Sequence, residues 1–369
     1  MPAEVNKGGI ELKKEKYSSL HEDCLTPDVA RYFGEYNDYP NRFNPKEKSV
    51  LTRIEQFGIS LDAVRKEFGK DITELSQEEY DALIAKFLKE RYDTVVASVF
   101  DKHALPNNTK APDSQTRWNE MLKQIERFDA MGDNFGLKII QRGKDFRESG
   151  NVVLVLEAGA HLISSIADIE KLIEHNVKIF GLQYGQDTPL ATANGLTEFG
   201  RKAVQYLLDN QLIVDLAHSS AKTRKDVLDL AEKTGRENLI AYTHGSTVDD
   251  IIESWINKIG ERALRQEEAE RLITDGGIIG LGVSRPFFSG IESLTRRINE
   301  LTKLKNGMDR VAIGADFGGV PQEWLAEIRS TEDFKKIADL LSDEFHMDRR
   351  QIEKVLRFNA KNWIKKAIH

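Results

Sequence analysis

Seven short runs, each nearly continuously apolar, recur along this chain and govern what it can fold into. They are TVVASVF (94–100), NVVLVLE (151–157), KIFGLQY (178–184), QLIVDLAH (211–218), NLIAYTH (238–244), GGIIGLGVS (276–284) and DRVAIGADF (309–317). Strands buried on both faces of a parallel sheet read this way, because neither face can carry polar side chains. Between the runs lie amphipathic stretches such as SSIADIEKLIEHN and SAKTRKDVLDLAEKTG. Their apolar residues recur at helical spacing, and each stops at an Asn or Gly.

Strand and helix in alternation predict an α/β fold with a parallel sheet. A weaker strand at KYSSLHED (16–23) brings the count to eight, and eight βα units within 369 residues fit a (β/α)8 TIM barrel. A doubly wound sheet is the alternative, but no G-x-G-x-x-G follows an early strand. Residues 27–92 hold too much polar and helical material for one connection. They read as a helical insertion between strands 1 and 2, beside the barrel mouth. Residues 321–369 read as a C-terminal helical segment, and no linker-like composition divides 1–369 into more than one domain.

Composition narrows the function. Lys plus Arg number 53 against 60 Asp plus Glu, a formal charge of −7, which argues against a nucleic-acid-binding surface. No apolar run approaches the ~20 residues of a membrane span, and the first residues hold no stretch of signal-peptide length. One cysteine, Cys24, excludes an internal disulfide and a thiolate-only zinc site. The expectation is a cytoplasmic protein with neither nucleic-acid nor membrane partners.

In a TIM barrel the chemistry belongs to residues at the C-terminal ends of the strands. Those ends supply His21, Asp23, Glu157, Tyr184, His218, His244 and Asp316 in order. Each alone has an ordinary explanation: a helix cap or an ion pair for a carboxylate, a satisfied polar contact for a histidine. Their coincidence on successive strand ends points instead to a shared metal site. Alternate residues of a strand face the same way, so His21 and Asp23 can ligate one ion together. Imidazole and carboxylate without thiolate suit zinc, manganese or iron. Glu157, with two carboxylate oxygens, can bridge two ions, and two cations would turn a bridging water into hydroxide at neutral pH. Asp316 is then placed to move a proton between that water and a leaving amine.

The motifs that carry these residues resemble the membrane (renal) dipeptidase family, binuclear zinc peptidases of the amidohydrolase superfamily with a (β/α)8 barrel. The resemblance rests on H-E-D (21–23), L-E-A-G-A-H (156–161), D-T-P-L-A (187–191), N-G-L-T-E-F-G-R (194–201), I-V-D-L-A-H-S-S (213–220), Y-T-H-G-S (242–246) and V-A-I-G-A-D-F-G-G-V (311–320). A weaker echo lies in LRFNAKNWI of the tail. The resemblance implies a first zinc on His21 and Asp23, a bridging Glu157, a second zinc on His218 and His244, and proton transfer by Asp316. It also implies two Zn2+ per chain and, by analogy, a homodimer.

Three positions depart from the family pattern. E-G-G-H becomes Glu157-Ala-Gly-Ala-His161, D-F-D-G becomes Asp316-Phe-Gly-Gly, and a substrate-contacting histidine after strand 4 becomes Tyr184. Tyr184 keeps a hydroxyl that can donate to an oxyanion. Arg262 is the match for the arginine that holds the substrate carboxylate. The expected activity is cleavage of the peptide bond of dipeptides. The alternatives are a non-peptide amide or lactone at the same binuclear site, or a non-catalytic metal-binding member of the family.

Overall fold

The computed structural model describes residues 16–22, 59, 61–71, 74–101, 103–104, 111–253, 260–320, 324–325 and 327–368, with 20–22 described for their backbone only. Among them, eight parallel strands close into a barrel. They are β1 (Tyr17–Glu22), β2 (Tyr92–Phe100), β3 (Asn151–Ala158), β4 (Val177–Gly181), β5 (Ile213–Asp215), β6 (Ile240–Tyr242), β7 (Ile278–Leu281) and β8 (Val311–Ile313). Each neighbours the next around the ring, and β8 returns to β1 with Ser19 beside Ile313. Every residue of β2 and of β3 is buried, which is why their sequences read as mostly apolar runs.

Helices pack around this ring: α1 (Leu61–Phe68), α2 (Gln77–Arg91), α3 (Ser114–Phe135), α4 (Ile166–Glu174), α5 (Glu198–Asp209), α6 (Ala221–Thr234), α7 (Gln266–Thr274) and α8 (Ile291–Thr302). Their starts are chemically marked. Ser76, Ser165, Thr197 and Ser220 each accept a backbone N–H of the first turn of the helix that follows. Among the described residues, no helix is long and apolar enough to cross a membrane.

The described part of the 27–92 segment lies between β1 and β2 and carries helices α1 and α2. Helix α2 runs directly into β2 and packs on β2 and α3, so it takes the place of a barrel helix. Residues 27–58 lie outside the described residues. Among the described residues, the tail carries α9 (Phe334–Asp343), α10 (Arg349–Glu353), a π-turn at Lys354–Phe358 and α11 (Asn359–Ala367). The LRFNAKNWI echo forms the barrel floor. Arg357 Nε pairs with the buried Asp93 of β2 at 2.5 Å, and Trp363 Nε1 donates to Gly276 O at 2.9 Å. Asn359 Nδ2 donates to the carbonyls of Met308 and Val311 at the start of β8.

Strands β4 to β8 stop two to four residues short of the apolar runs that mark them in the sequence. The chain turns sharply at those points, with His218 at φ 60° and Asp316 at φ 59° in the left-handed region. Neither residue type is glycine, so both turns are held by their surroundings. Tyr184, His218, His244 and Asp316 sit on these turns, above the packed barrel interior.

Candidate metal centre

Glu157 lies one residue before the end of β3 and is 6% exposed. Its Oε2 accepts from Ser98 Oγ of neighbouring β2 at 2.7 Å, which fixes one carboxylate oxygen and leaves Oε1 directed at the histidines. His218 follows β5 within L-A-H-S-S, and its position is built by short-range bonds. Asp215 Oδ1 accepts from Ala217 N at 3.0 Å, Ser219 N returns to Leu216 O at 3.2 Å, and Ser220 caps α6. Ser220 N also donates to Gln183 Oε1 at 3.0 Å, tying this turn to the end of β4. The result places His218 Nε2 3.1 Å from Glu157 Oε1.

His244, 3% exposed, follows β6, and its Nε2 meets His218 Nε2 at 2.8 Å and Glu157 Oε1 at 3.9 Å. Its tautomer follows from the groups behind it. The Thr243 hydroxyl lies 2.6 Å from Asp215 Oδ2, and a carboxylate only accepts, so the hydroxyl proton goes to Asp215. Thr243 Oγ1 can then only accept from His244 Nδ1 at 3.0 Å. The proton of His244 therefore sits on Nδ1, and the Nε2 lone pair faces the cluster. A ring N–H anchored on an outer acceptor, with the other nitrogen left to face an ion, is how metal-binding histidines are oriented.

Ligand atoms of Glu157, His218 and His244 all lie within 4.8 Å of one another. The set fits a divalent cation of the zinc class: two imidazoles and one carboxylate, none of them thiolate. His218 Nδ1 is in addition buried without a hydrogen-bond partner, so its ring has bonding capacity that protein groups do not meet. His21 falls in β1, which the ring closure places between β2 and β8, but its side chain and the whole of Asp23 lie outside the described residues. The described structure thus brings three of the five expected ligands together and leaves the H-x-D pair untested.

Tyr184 lies against this cluster. Its ring centroid is 4.4 Å from that of His218 and 5.0 Å from Phe100, edge-on to the latter. Arg262 comes from a turn at Gly260–Arg262, and its guanidinium reaches the backbone after Tyr184. A Cβ on Gly185 would stand 2.5 Å from Arg262 Nη2, so that approach needs glycine, as does the φ of +69° there. Arg262, Gln183, Gly185 and His218 line one cavity of about 250 Å³. Asp316 lies three residues beyond β8, in a turn closed by Gly319 N donating to Asp316 O at 3.2 Å.

A family model described as membrane dipeptidase, peptidase family M19, matches residues 59–367. The chain belongs to that family. An uncharacterized dipeptidase of Schizosaccharomyces pombe is 25% identical over 253 residues, covering 62% of this chain and 57% of that relative. The chain thus aligns with little more than half of that protein's length. Among solved structures, a family M19 metallopeptidase called dipeptidase AC superposes with a TM-score of 0.65 at 13% identity, covering 96% of this chain and 99% of that one. A metallopeptidase from Rhodobacter sphaeroides bound to a phosphinate mimic of the dipeptide L-Ala-D-Ala gives 0.63 at 14% identity, covering 95% and 99%. At these identities the superpositions establish the shared barrel.

Within the membrane dipeptidase framework, several motifs prove to be scaffolding. In N-G-L-T-E-F-G-R, Thr197 caps α5 and also donates to Pro189 O at 2.6 Å. Gly200 packs so closely on Leu190 O that a Cβ would lie 1.7 Å from it. His161 does not join the metal cluster. It bonds Asp101 Oδ2 at 2.7 Å, beside Arg117, whose Nε meets the same oxygen at 2.8 Å. Burial pushes the Asp101 carboxyl up, but the bonds from His161 and Arg117 outweigh it and hold its pKa below the usual carboxylate value. His103 donates its backbone N–H to Asp101 Oδ1.

Sequence reasoning missed Ser98, Asp215 and Thr243. A usable signal exists for two of them: Ser98 and Asp215 are polar residues inside otherwise apolar runs, and a polar side chain buried in a strand needs a specific partner.

Proposed function

We propose that this chain hydrolyses the peptide bond of dipeptides at a metal centre held by Glu157, His218 and His244, completed by His21 and Asp23 into a pair of Zn2+ ions. The observation that supports it most is the orientation of the His244 Nε2 lone pair toward His218 and Glu157, through Thr243 and Asp215. Zinc in such a site lowers the pKa of its water so that attack on a carbonyl proceeds at neutral pH. The protein's own residues do the rest. Arg262 binds the substrate's terminal carboxylate across the cavity it shares with His218, a charge-assisted fork that fixes the scissile carbonyl toward the cluster. The Tyr184 ring, braced between Phe100 and His218, closes one side and carries a hydroxyl able to donate to the developing oxyanion. Asp316 takes the proton of the attacking water and delivers it to the leaving nitrogen.

The test is a side-by-side assay of dipeptides, N-acyl amino acids and lactones with zinc-loaded protein, repeated with chelator. Dipeptide turnover that disappears with chelator supports the proposal. Turnover confined to lactones or N-acyl substrates moves the same site to the non-peptide reading. No hydrolysis of any of them leaves a metal-binding, non-catalytic family member.

A further inference from the structure

Three consecutive carbonyls around Arg262 are each taken by a buried side chain from another element. Arg224 Nη1 donates to Glu261 O at 2.8 Å, Tyr242 Oη to Arg262 O at 3.1 Å, and Arg224 Nη2 to Ala263 O at 2.8 Å. A single turn such as Gly260–Arg262 has few bonds of its own; Ala263 N reaches Gly260 O only at 3.3 Å. Its pose is set from outside.

The two side chains doing this are also joined to the metal cluster. Arg224, on α6, is fully buried and donates through Nη1 to Ser219 O at 2.7 Å, the residue after His218. Glu268 of α7 balances its charge through two bonds, Nε to Oε1 at 3.1 Å and Nη2 to Oε2 at 2.8 Å. Tyr242 lies on β6, two residues before His244, and is buried with its hydroxyl donating to Arg262 O. A wholly buried guanidinium is costly unless its donors are met, and here Glu268 is joined by carbonyls from the two loops that flank the cavity.

We infer that Arg224 and Tyr242 are positioning residues that set Arg262 at a fixed distance from the His218 and His244 turns, and so determine selectivity for a substrate with a free carboxylate. The inference rests on the role given to Arg262 under Proposed function. A displacement of ~1 Å at a substrate-orienting group can cost on the order of 10²-fold, so the holder of such a group matters as much as the group.

Two readouts test it, and the first needs no turnover. The rate at which phenylglyoxal modifies Arg262, followed by mass spectrometry against the exposed Arg285, should rise severalfold in Arg224→Lys and in Tyr242→Phe. An unchanged rate in both overturns the inference. The second compares alanyl-alanine dipeptides with their C-terminal amides. Tyr242→Phe should raise KM for the free acid about tenfold, with kcat little moved and the amide affected far less. It should add nothing when Arg262 is already Ala. Equal losses for acid and amide would reduce Tyr242 to a packing residue and overturn the inference. If Arg262→Ala itself fails to separate acid from amide, the carboxylate reading of Arg262 falls, and the phenylglyoxal rates still decide whether Arg224 and Tyr242 hold it. Tyr242→Phe keeps the ring in the core, so the test survives if Arg224→Lys does not fold.

Discussion

Thr243→Val is the sharpest test of how the metal centre is organised, because valine keeps the shape and removes one oxygen. Thr243 is fully buried, Asp215 is 1% exposed and His244 3%. The substitution deletes a hydrogen bond to an ionised carboxylate, worth ~1.5–3 kcal/mol, and leaves the His244 Nδ1–H facing a methyl group, a further ~1–3 kcal/mol. Asp215 keeps the backbone donors Thr243 N and Ala217 N, so the loss belongs at the lower end, ~2–4 kcal/mol in all. Nothing then ties the His244 proton to Nδ1, and metal affinity should fall by ~10–100-fold, as it does when the outer partner of a ligating histidine is lost. Denaturant unfolding of the metal-free chain reads the first effect, and zinc titration against a competing chelator reads the second. Thr243→Ser keeps the hydroxyl and should restore most of both. A Thr243→Val chain that binds zinc as tightly as the unaltered one would refute the Asp215–Thr243–His244 argument.

Three further outcomes follow from the same geometry. Asp316→Asn should retain metal and lose at least ~10²-fold in kcat, the usual scale for a proton-transfer group; near-normal turnover would remove Asp316 from the reaction. The lowered pKa of Asp101 means that its stabilising contribution is complete above the ordinary carboxylate pKa of about 4 and is lost as pH falls through the lower folded value. Asp101→Asn should therefore destabilise at neutral pH, with the gap from the unaltered chain narrowing in acid, and a gap that widens in acid would contradict this. Asn359→Ala strips the donor from two carbonyls at the barrel floor and should cost ~1–3 kcal/mol in denaturant unfolding while zinc affinity stays put; an unchanged midpoint would dismiss the floor contact.

The barrel is legible because burial on both faces leaves a strand few polar positions, and that rule marks β2 and β3 closely. It fails at the later strands for a physical reason. The residues after β5 and β8 are as buried as the strands, so hydropathy runs on through Leu216 and Ala217, and through Ala315, while the backbone has already turned. Those misread ends are where His218, His244 and Asp316 sit. The place of helix α2 on the barrel depends on its packing against β2 and α3, which no local pattern encodes.

Of the site, Glu157, His218 and His244 were visible from residue type and strand position alone. Their supports were not. Thr243 beside a histidine, or Arg224 and Glu268 on two amphipathic helices, look like ordinary surface polarity until the fold brings α6 against α7. Arg262 illustrates the same limit from the other side: it sits among charges in ERALRQEE, and only the glycine at 185 and the carbonyls held by Arg224 and Tyr242 show where its guanidinium goes.

Metal content per chain, on protein purified without chelator or affinity metal, decides whether Glu157, His218 and His244 form a metal centre. The account predicts about two zinc-class ions per chain, with the count falling when Glu157 is changed to Gln. No bound metal, even after reconstitution with zinc, would mean that Glu157, His218 and His244 form no working centre and would contradict the hydrolytic reading.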